Sequence, residues 1–186
     1  MENSERLTNT KSEKRTQLIH DISEGLISHE IFSDNVRRKK DKEAQIQKAL
    51  FLRLEKGGLL KQILSKHYFF DDNKIDEFIS KNFSYECDNH TTVKHWNTFG
   101  CKHRPDAILK FDKFKIAIEL KLAKSGSSLR GGIGQAILFS KDAAFTIYMV
   151  VDTSEDKKIL KSFHKDKEQS IVQDLWNNHN IHFVVV

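Results

Sequence analysis

Proline occurs once in this chain, at Pro105, and cysteine twice, at Cys87 and Cys101. Two thiols in a domain large enough not to need covalent cross-linking are read as reduced, so a disulfide scaffold is not expected. No apolar run approaches the roughly 18 residues that a membrane-spanning helix requires. The polar start Met1-Glu-Asn-Ser-Glu-Arg6 lacks the apolar stretch of a secretory signal. A cytoplasmic protein with no membrane partner is therefore expected. Repeats, heptad arrays and low-complexity linkers are missing too, so nothing divides the chain into two folding units. Gly131, Gly132 and Gly134 lack the Gly-x-Gly-x-x-Gly spacing of a dinucleotide loop, and no lysine and serine pair of a phosphate loop follows them.

What is present suits one globular core. The chain has 186 residues, 38% of them hydrophobic, with 13 phenylalanines, enough to bury a single good core. Lys and Arg number 31 against 26 Asp and Glu, a net charge of +5 with pI near 9.1. That sign is compatible with a polyanionic partner and does not separate DNA from RNA.

Periodicity outlines the elements. Residues 1–33 are rich in Ser, Thr, Asn, Glu and Lys, with brief apolar patches around Leu18 to Ile22 and at Leu26 and Ile27. They are expected to form a mobile or weakly helical N-terminal arm ahead of a single domain at 34–186. After Ser33 and Asp34 a long helical pattern carries Ile46, Ala49, Leu50, Leu52 and Leu54 and ends at Gly57-Gly58. Shorter helical patterns cover 59–68 and 74–82, the second opened by Asp71, Asp72 and Asn73 as capping candidates. Thr91, Thr92 and Val93 suggest a short strand. A flexible loop is expected at 125–128, then a glycine-rich lead at 130–134 into a helix at 135–141. The β-branched run at 145–151 reads as a central strand buried on both faces. A helical region at 155–178, interrupted near His164, precedes a closing strand at 181–186. This order predicts an α/β fold with a mixed central sheet flanked by helices.

Chemistry concentrates at one hairpin. Ile116, Ile118, Leu120 and Leu122 take alternate positions, so a strand turns Ala117, Glu119 and Lys121 to its opposite face. Ahead of it, Asp106-Ala-Ile-Leu-Lys-Phe111 reads as a second strand, with Asp112-Lys113 as the polar turn. Such a hairpin brings Asp106 near Glu119. Two acids on one patch repel and lose hydration unless a cation lies between them, and oxygen donors suit a hard divalent ion. The alternative is an exposed Glu119 and Lys121 ion pair contributing about 0 to 1 kcal/mol. A charged pair within an otherwise apolar strand argues against it.

Pro105-Asp106 followed by Glu119-x-Lys121, with 119 − 106 = 13 positions between the acids, resembles the PD-(D/E)XK nuclease superfamily. The resemblance implies a restriction endonuclease-like core of order α-β-β-β-α-β over roughly 34–151. It implies metal-dependent hydrolysis of phosphodiester bonds, with nucleic acid as partner and DNA favoured over RNA. Mg²⁺, for which Mn²⁺ can substitute, would be held by Asp106, Glu119 and the backbone carbonyl of Leu120. Lys121 would orient the attacking water or stabilise charge on the phosphorane. Relatives carry an acid on the first core helix, for which Glu43 is the best match and Glu55 the rival. A glutamine following the lysine motif is matched by Gln135. Phe139, four residues on, replaces the usual tyrosine and is read as core. Cutting both strands of a duplex would need a homodimer or a larger complex.

Other groups admit more than one role. Lys124 and Arg130 flank the start of the glycine-rich stretch and are candidate contacts to a nucleic-acid backbone, and Arg37-Arg-Lys-Lys40 is another. Cys87, His90, His95, Cys101 and His103 form a rival metal set: Cys87-x-x-His90 suits zinc, whereas Cys101-x-His103 is tight. His95, Trp96 and His103 would alternatively contact substrate. From a different class comes a non-catalytic nucleic-acid-binding module, or one subunit of a larger DNA-processing or defence complex. An intact acid, acid and lysine set argues against it, because a binder has no need of carboxylates facing phosphates.

Overall fold

The computed structural model describes residues 12–28, 32, 43–68, 71–86, 93–98 and 100–186. The basic cluster at 37–40, and Cys87, His90, Thr91 and Thr92, lie outside the described residues. Among the described residues, four helices come first: α1 (Ser12–Ile27), α2 (Glu43–Glu55), α3 (Leu59–His67) and α4 (Asp72–Asn82). Then follow β1 (Phe83–Tyr85), β2 (Trp96–Thr98), β3 (Cys101–His103), β4 (Ala107–Lys110) and β5 (Lys115–Ala123). The chain continues through α5 (Gly126–Phe139), β6 (Phe145–Asp152), α6 (Lys158–Phe163), α7 (Asp166–His179) and β7 (Ile181–Val185). Local chemistry sets several boundaries. Asp71 caps α4, its side chain accepting from the Lys74 N–H at 2.9 Å. Gly58, at φ 71°, lets the chain turn from α2 into α3 in the left-handed region that other residues avoid.

One five-stranded sheet runs in the order β1-β4-β5-β6-β7. The pairs β1 with β4 and β4 with β5 are antiparallel, and β5, β6 and β7 are parallel. A separate antiparallel pair joins β2 to β3. Alternating side chains make each central strand serve both faces. On one face Ile116, Ile118 and Leu120 of β5 and Ile147 and Met149 of β6 pack with Leu18 and Ile22 of α1 and Leu50, Phe51 and Leu54 of α2. On the other, Ala123, Tyr148 and Val150 join Ala136 of α5, Leu175 of α7 and Phe183 of β7. The protein is α/β, a mixed central sheet flanked by helices. No described helix is long and apolar enough to cross a membrane.

Three stretches differ from the sequence expectation. Residues 12–27, placed by composition in a mobile or weakly helical arm, form α1, and Leu18, Ile19 and Ile22 are wholly buried. Positions 18, 19, 22 and 26 recur at helical spacing, so a polar average conceals one core-facing stripe. Of the strand suggested at 91–93 only Val93 is described, and it is buried but not in a strand; a described strand lies at Trp96–Thr98. Residues 126–128 of the expected loop and the glycine-rich lead are part of α5, with Ser125 at its N-cap position. Gly131, Gly132 and Gly134 therefore lie inside a helix rather than at its start. Gly132 has a packing reason: a Cβ there would fall 1.8 Å from the Tyr148 hydroxyl oxygen. The close backbone approach is made to the sheet.

Candidate active site

The β4 and β5 hairpin forms in the expected register, with Ala107 opposite Ile118 and Leu109 opposite Ile116. One step beyond Ala107, Asp106 enters the strand, and its Oδ2 accepts from the Leu120 N–H at 2.7 Å. Across the parallel pair, Glu119 lies beside Tyr148 and Lys121 beside Val150. Both acids are buried, Asp106 6% and Glu119 5% exposed. Lys121, toward the C-terminal end of β5, is only partly covered.

The first turn of α2 adds a third carboxylate. Glu43 Oε1 accepts from Lys121 Nζ and its Oε2 from the Leu122 N–H, each at 3.0 Å. Gln47 follows one turn later on the same helix face, is buried, and hydrogen-bonds Asp106. Glu55, the rival, lies at the other end of α2 and accepts from the Tyr85 hydroxyl at 2.9 Å. Twelve helical steps separate the two glutamates, a rise of about 18 Å, so Glu43 is the helix acid of this cluster.

Burial dominates the electrostatics. It pushes Glu119 up to about 8, reinforced by the neighbouring Asp106 charge and opposed by Lys121. Burial also pushes Asp106 up to about 6, against the Leu120 amide hydrogen bond, while the Glu43 charge adds to the rise. The pair thus retains a proton at neutral pH, where isolated carboxylates are ionised. Lys121 is raised too, which for a base favours the charged form. Burial acts to lower it, but the Glu43 hydrogen bond and the charges of Glu43, Glu119 and Asp106 outweigh this and raise it above the usual lysine value. Lys121 is a held cation. Tyr148 is raised by burial and then by the Glu119 and Glu43 charges, so it stays a neutral phenol.

The donor set fits a hard divalent cation. Glu119 Oε2 is buried without a hydrogen-bond partner, beside a second buried carboxylate. Such an oxygen is costly to leave unpaired, and a bound ion satisfies it. Among the described residues no three of His, Cys, Asp and Glu already converge as ligands. Glu43 is directed to Lys121 and Leu122 instead, and Leu120 lies between the acids with its N–H given to Asp106.

The remaining candidates disperse. Gln135 is exposed on α5 and is not among the groups that perturb Asp106 or Glu119. Phe139 is buried and edge-on to Trp96, with centroids 5.5 Å apart, a core residue as expected. Lys124 and Arg130 are exposed where β5 gives way to α5. His95 and Cys101 are exposed, and His103 pairs with Trp96 across β2 and β3. Two residues of this neighbourhood escaped sequence reasoning. Gln47 carried a usable signal, its spacing of four from Glu43 on a helical pattern. Tyr148 carried none, since its neighbour Glu119 lies 148 − 119 = 29 positions away and a tyrosine in an apolar strand reads as core. No protein-family model, curated protein or solved structure matches this chain.

Proposed function

We propose that the protein is a metal-dependent nuclease that hydrolyses phosphodiester bonds, with DNA as the favoured substrate. The observation that carries this reading is the buried Asp106 and Glu119 pair, with an unpartnered Glu119 oxygen and an ammonium held alongside. The chain order also supports it: helices, the antiparallel strands β1, β4 and β5, the helix α5 and the parallel strand β6 are compatible with a restriction endonuclease-like core.

Asp106 and Glu119, with the Leu120 carbonyl as a further oxygen, would hold Mg²⁺ or Mn²⁺, which supplies Lewis-acid polarisation of the scissile phosphate. On binding a cation the two carboxyls would give up their retained proton to solvent. Lys121, kept charged by Glu43, serves as a hydrogen-bond donor and counter-charge to the phosphate as negative charge builds on it, rather than as a base. Lys124 and Arg130, both exposed, would contact the nucleic-acid backbone.

The test is cleavage by the purified full chain of duplex, single-stranded, branched and modified DNA and of RNA, with Mg²⁺ or Mn²⁺ and with EDTA. Metal-dependent cutting that disappears in folded Glu119→Ala and Lys121→Ala is expected. Undiminished cutting in both variants would sink the assignment. The second reading, a non-catalytic nucleic-acid-binding module or subunit, is favoured by the net charge of +5 and the exposed Lys124 and Arg130. Metal-independent binding with no cleavage across the panel selects it.

A further inference from the structure

Tyr148 is wholly buried in β6, yet its hydroxyl has no hydrogen-bond partner. A phenylalanine would fill the same space without stranding a polar atom. The fold instead accommodates the hydroxyl at the cost of a side chain, since any Cβ at position 132 of α5 would collide with it at 1.8 Å. The ring is held against Phe183, centroids 5.4 Å apart and planes 15° from parallel. Its place in the sheet gives this arrangement a purpose. Tyr148 is in register with Glu119 on the adjacent parallel strand, so both side chains leave the same face. Glu119 Oε2 is a buried partnerless oxygen on that face, as is Thr146 Oγ1 two residues before Tyr148 on β6. A donor without an acceptor and an acceptor without a donor thus lie on neighbouring strands and on one face of the sheet.

We infer that Tyr148 is a positioning residue for the candidate metal centre: its hydroxyl donates to one oxygen of Glu119 in the cation-loaded state, leaving the other oxygen to face the ion. The inference rests on the metal-dependent reading above. Phe183 sets the ring plane, and Gly132 sets how closely the hydroxyl seats beneath the helix. Groups that orient metal ligands in this way typically change metal affinity or activity about 10- to 100-fold when removed.

The test compares full-length wild type with Tyr148→Phe by calorimetric titration with Mn²⁺, thermal melts of the metal-free proteins, and cleavage kinetics. Tyr148→Phe is expected to melt no lower than wild type without metal, to bind Mn²⁺ about 10- to 100-fold more weakly, and to lose kcat with little change in KM. Wild-type Mn²⁺ affinity in Tyr148→Phe overturns the inference. So does a lower metal-free melting temperature, which would mean that the hydroxyl serves the fold. If Tyr148→Phe weakens Mn²⁺ binding while neither protein cuts any substrate, the positioning role stands and the nuclease reading fails. If both proteins cut and bind Mn²⁺ alike, only the positioning role fails. If wild type binds no Mn²⁺, both fail.

Discussion

Glu43 and Lys121, 78 residues apart in the chain, meet at 3.0 Å, and the same carboxylate also takes the Leu122 amide. One acid at the start of α2 thereby ties that helix to the end of β5 and keeps an ammonium beside two buried carboxyls.

The pair matters more for chemistry than for stability. Its side chains are 32% and 31% exposed, so solvent screening limits its contribution to about 0 to 1 kcal/mol. Lys121→Met is expected to shift the melting temperature by no more than about 4 °C while lowering cleavage about 100-fold or more. Thermal melts and single-turnover cleavage check this; a strongly destabilised variant that still cuts would contradict it.

The buried acids make metal-free stability depend on pH. Asp106 near 6 and Glu119 near 8 in the folded state both lie above their unfolded values of about 4. The folded protein therefore holds more protons than the unfolded chain across that interval, and their contribution to stability falls as pH rises from about 4 to about 8. His182, lowered to about 4 by burial and then by His20, acts oppositely, its contribution being lost as pH falls from its ordinary 6.5. Comparison with Glu119→Gln isolates the acid. That variant should melt above wild type at pH 8 and approach it at pH 5; identical profiles would show that Glu119 does not carry the dependence.

Divalent cations should offset the same repulsion. Mg²⁺ or Mn²⁺ is expected to raise the wild-type melting temperature reversibly, with a gain of about 2.7 kcal/mol at a hundredfold excess over Kd. Asp106→Asn and Glu119→Gln should lose that gain, and EDTA should abolish it in wild type. Equal metal stabilisation of all three proteins would place the ion elsewhere.

Gly132→Ala tests the seat of Tyr148. The helix backbone cannot retreat from a contact of 1.8 Å without disturbing α5, and the ring is pinned by Phe183. Overpacking of this kind costs about 1 to 3 kcal/mol, read as a lower urea midpoint at unchanged slope.

The helix α1 is part of the core and should behave so. Ile22→Ala, at a wholly buried position among α1, α2 and the sheet, is expected to cost about 2 to 5 kcal/mol. Removal of residues 1–28 should abolish cooperative unfolding. A free arm would leave both measurements unchanged.

The hairpin of β4 and β5 was legible because its signals are local. Alternation over 116–122 sorts Glu119 and Lys121 from the isoleucines, and Asp112-Lys113 supplies the turn that sets the register with Asp106. The capping of α4 by Asp71 is equally local, as is the buried run that becomes β6. The meeting of Glu43 with Lys121 was not: Glu43 was preferred to Glu55 on the resemblance alone, both share one helical pattern, and only the packing of α2 on the sheet decides which end meets Lys121. Nor was α1, whose polar composition masks a stripe that counts as core only when other elements cover it. The helical fate of Gly131, Gly132 and Gly134 ran against their propensity; the Tyr148 hydroxyl beneath Gly132 shows why a residue without a side chain is needed there. Periodicity along the chain determines which side chains share a face of one element. Burial, the raised affinity of Glu119 for its proton and the cationic state of Lys121 depend on groups tens of residues away, and only the tertiary structure brings those together.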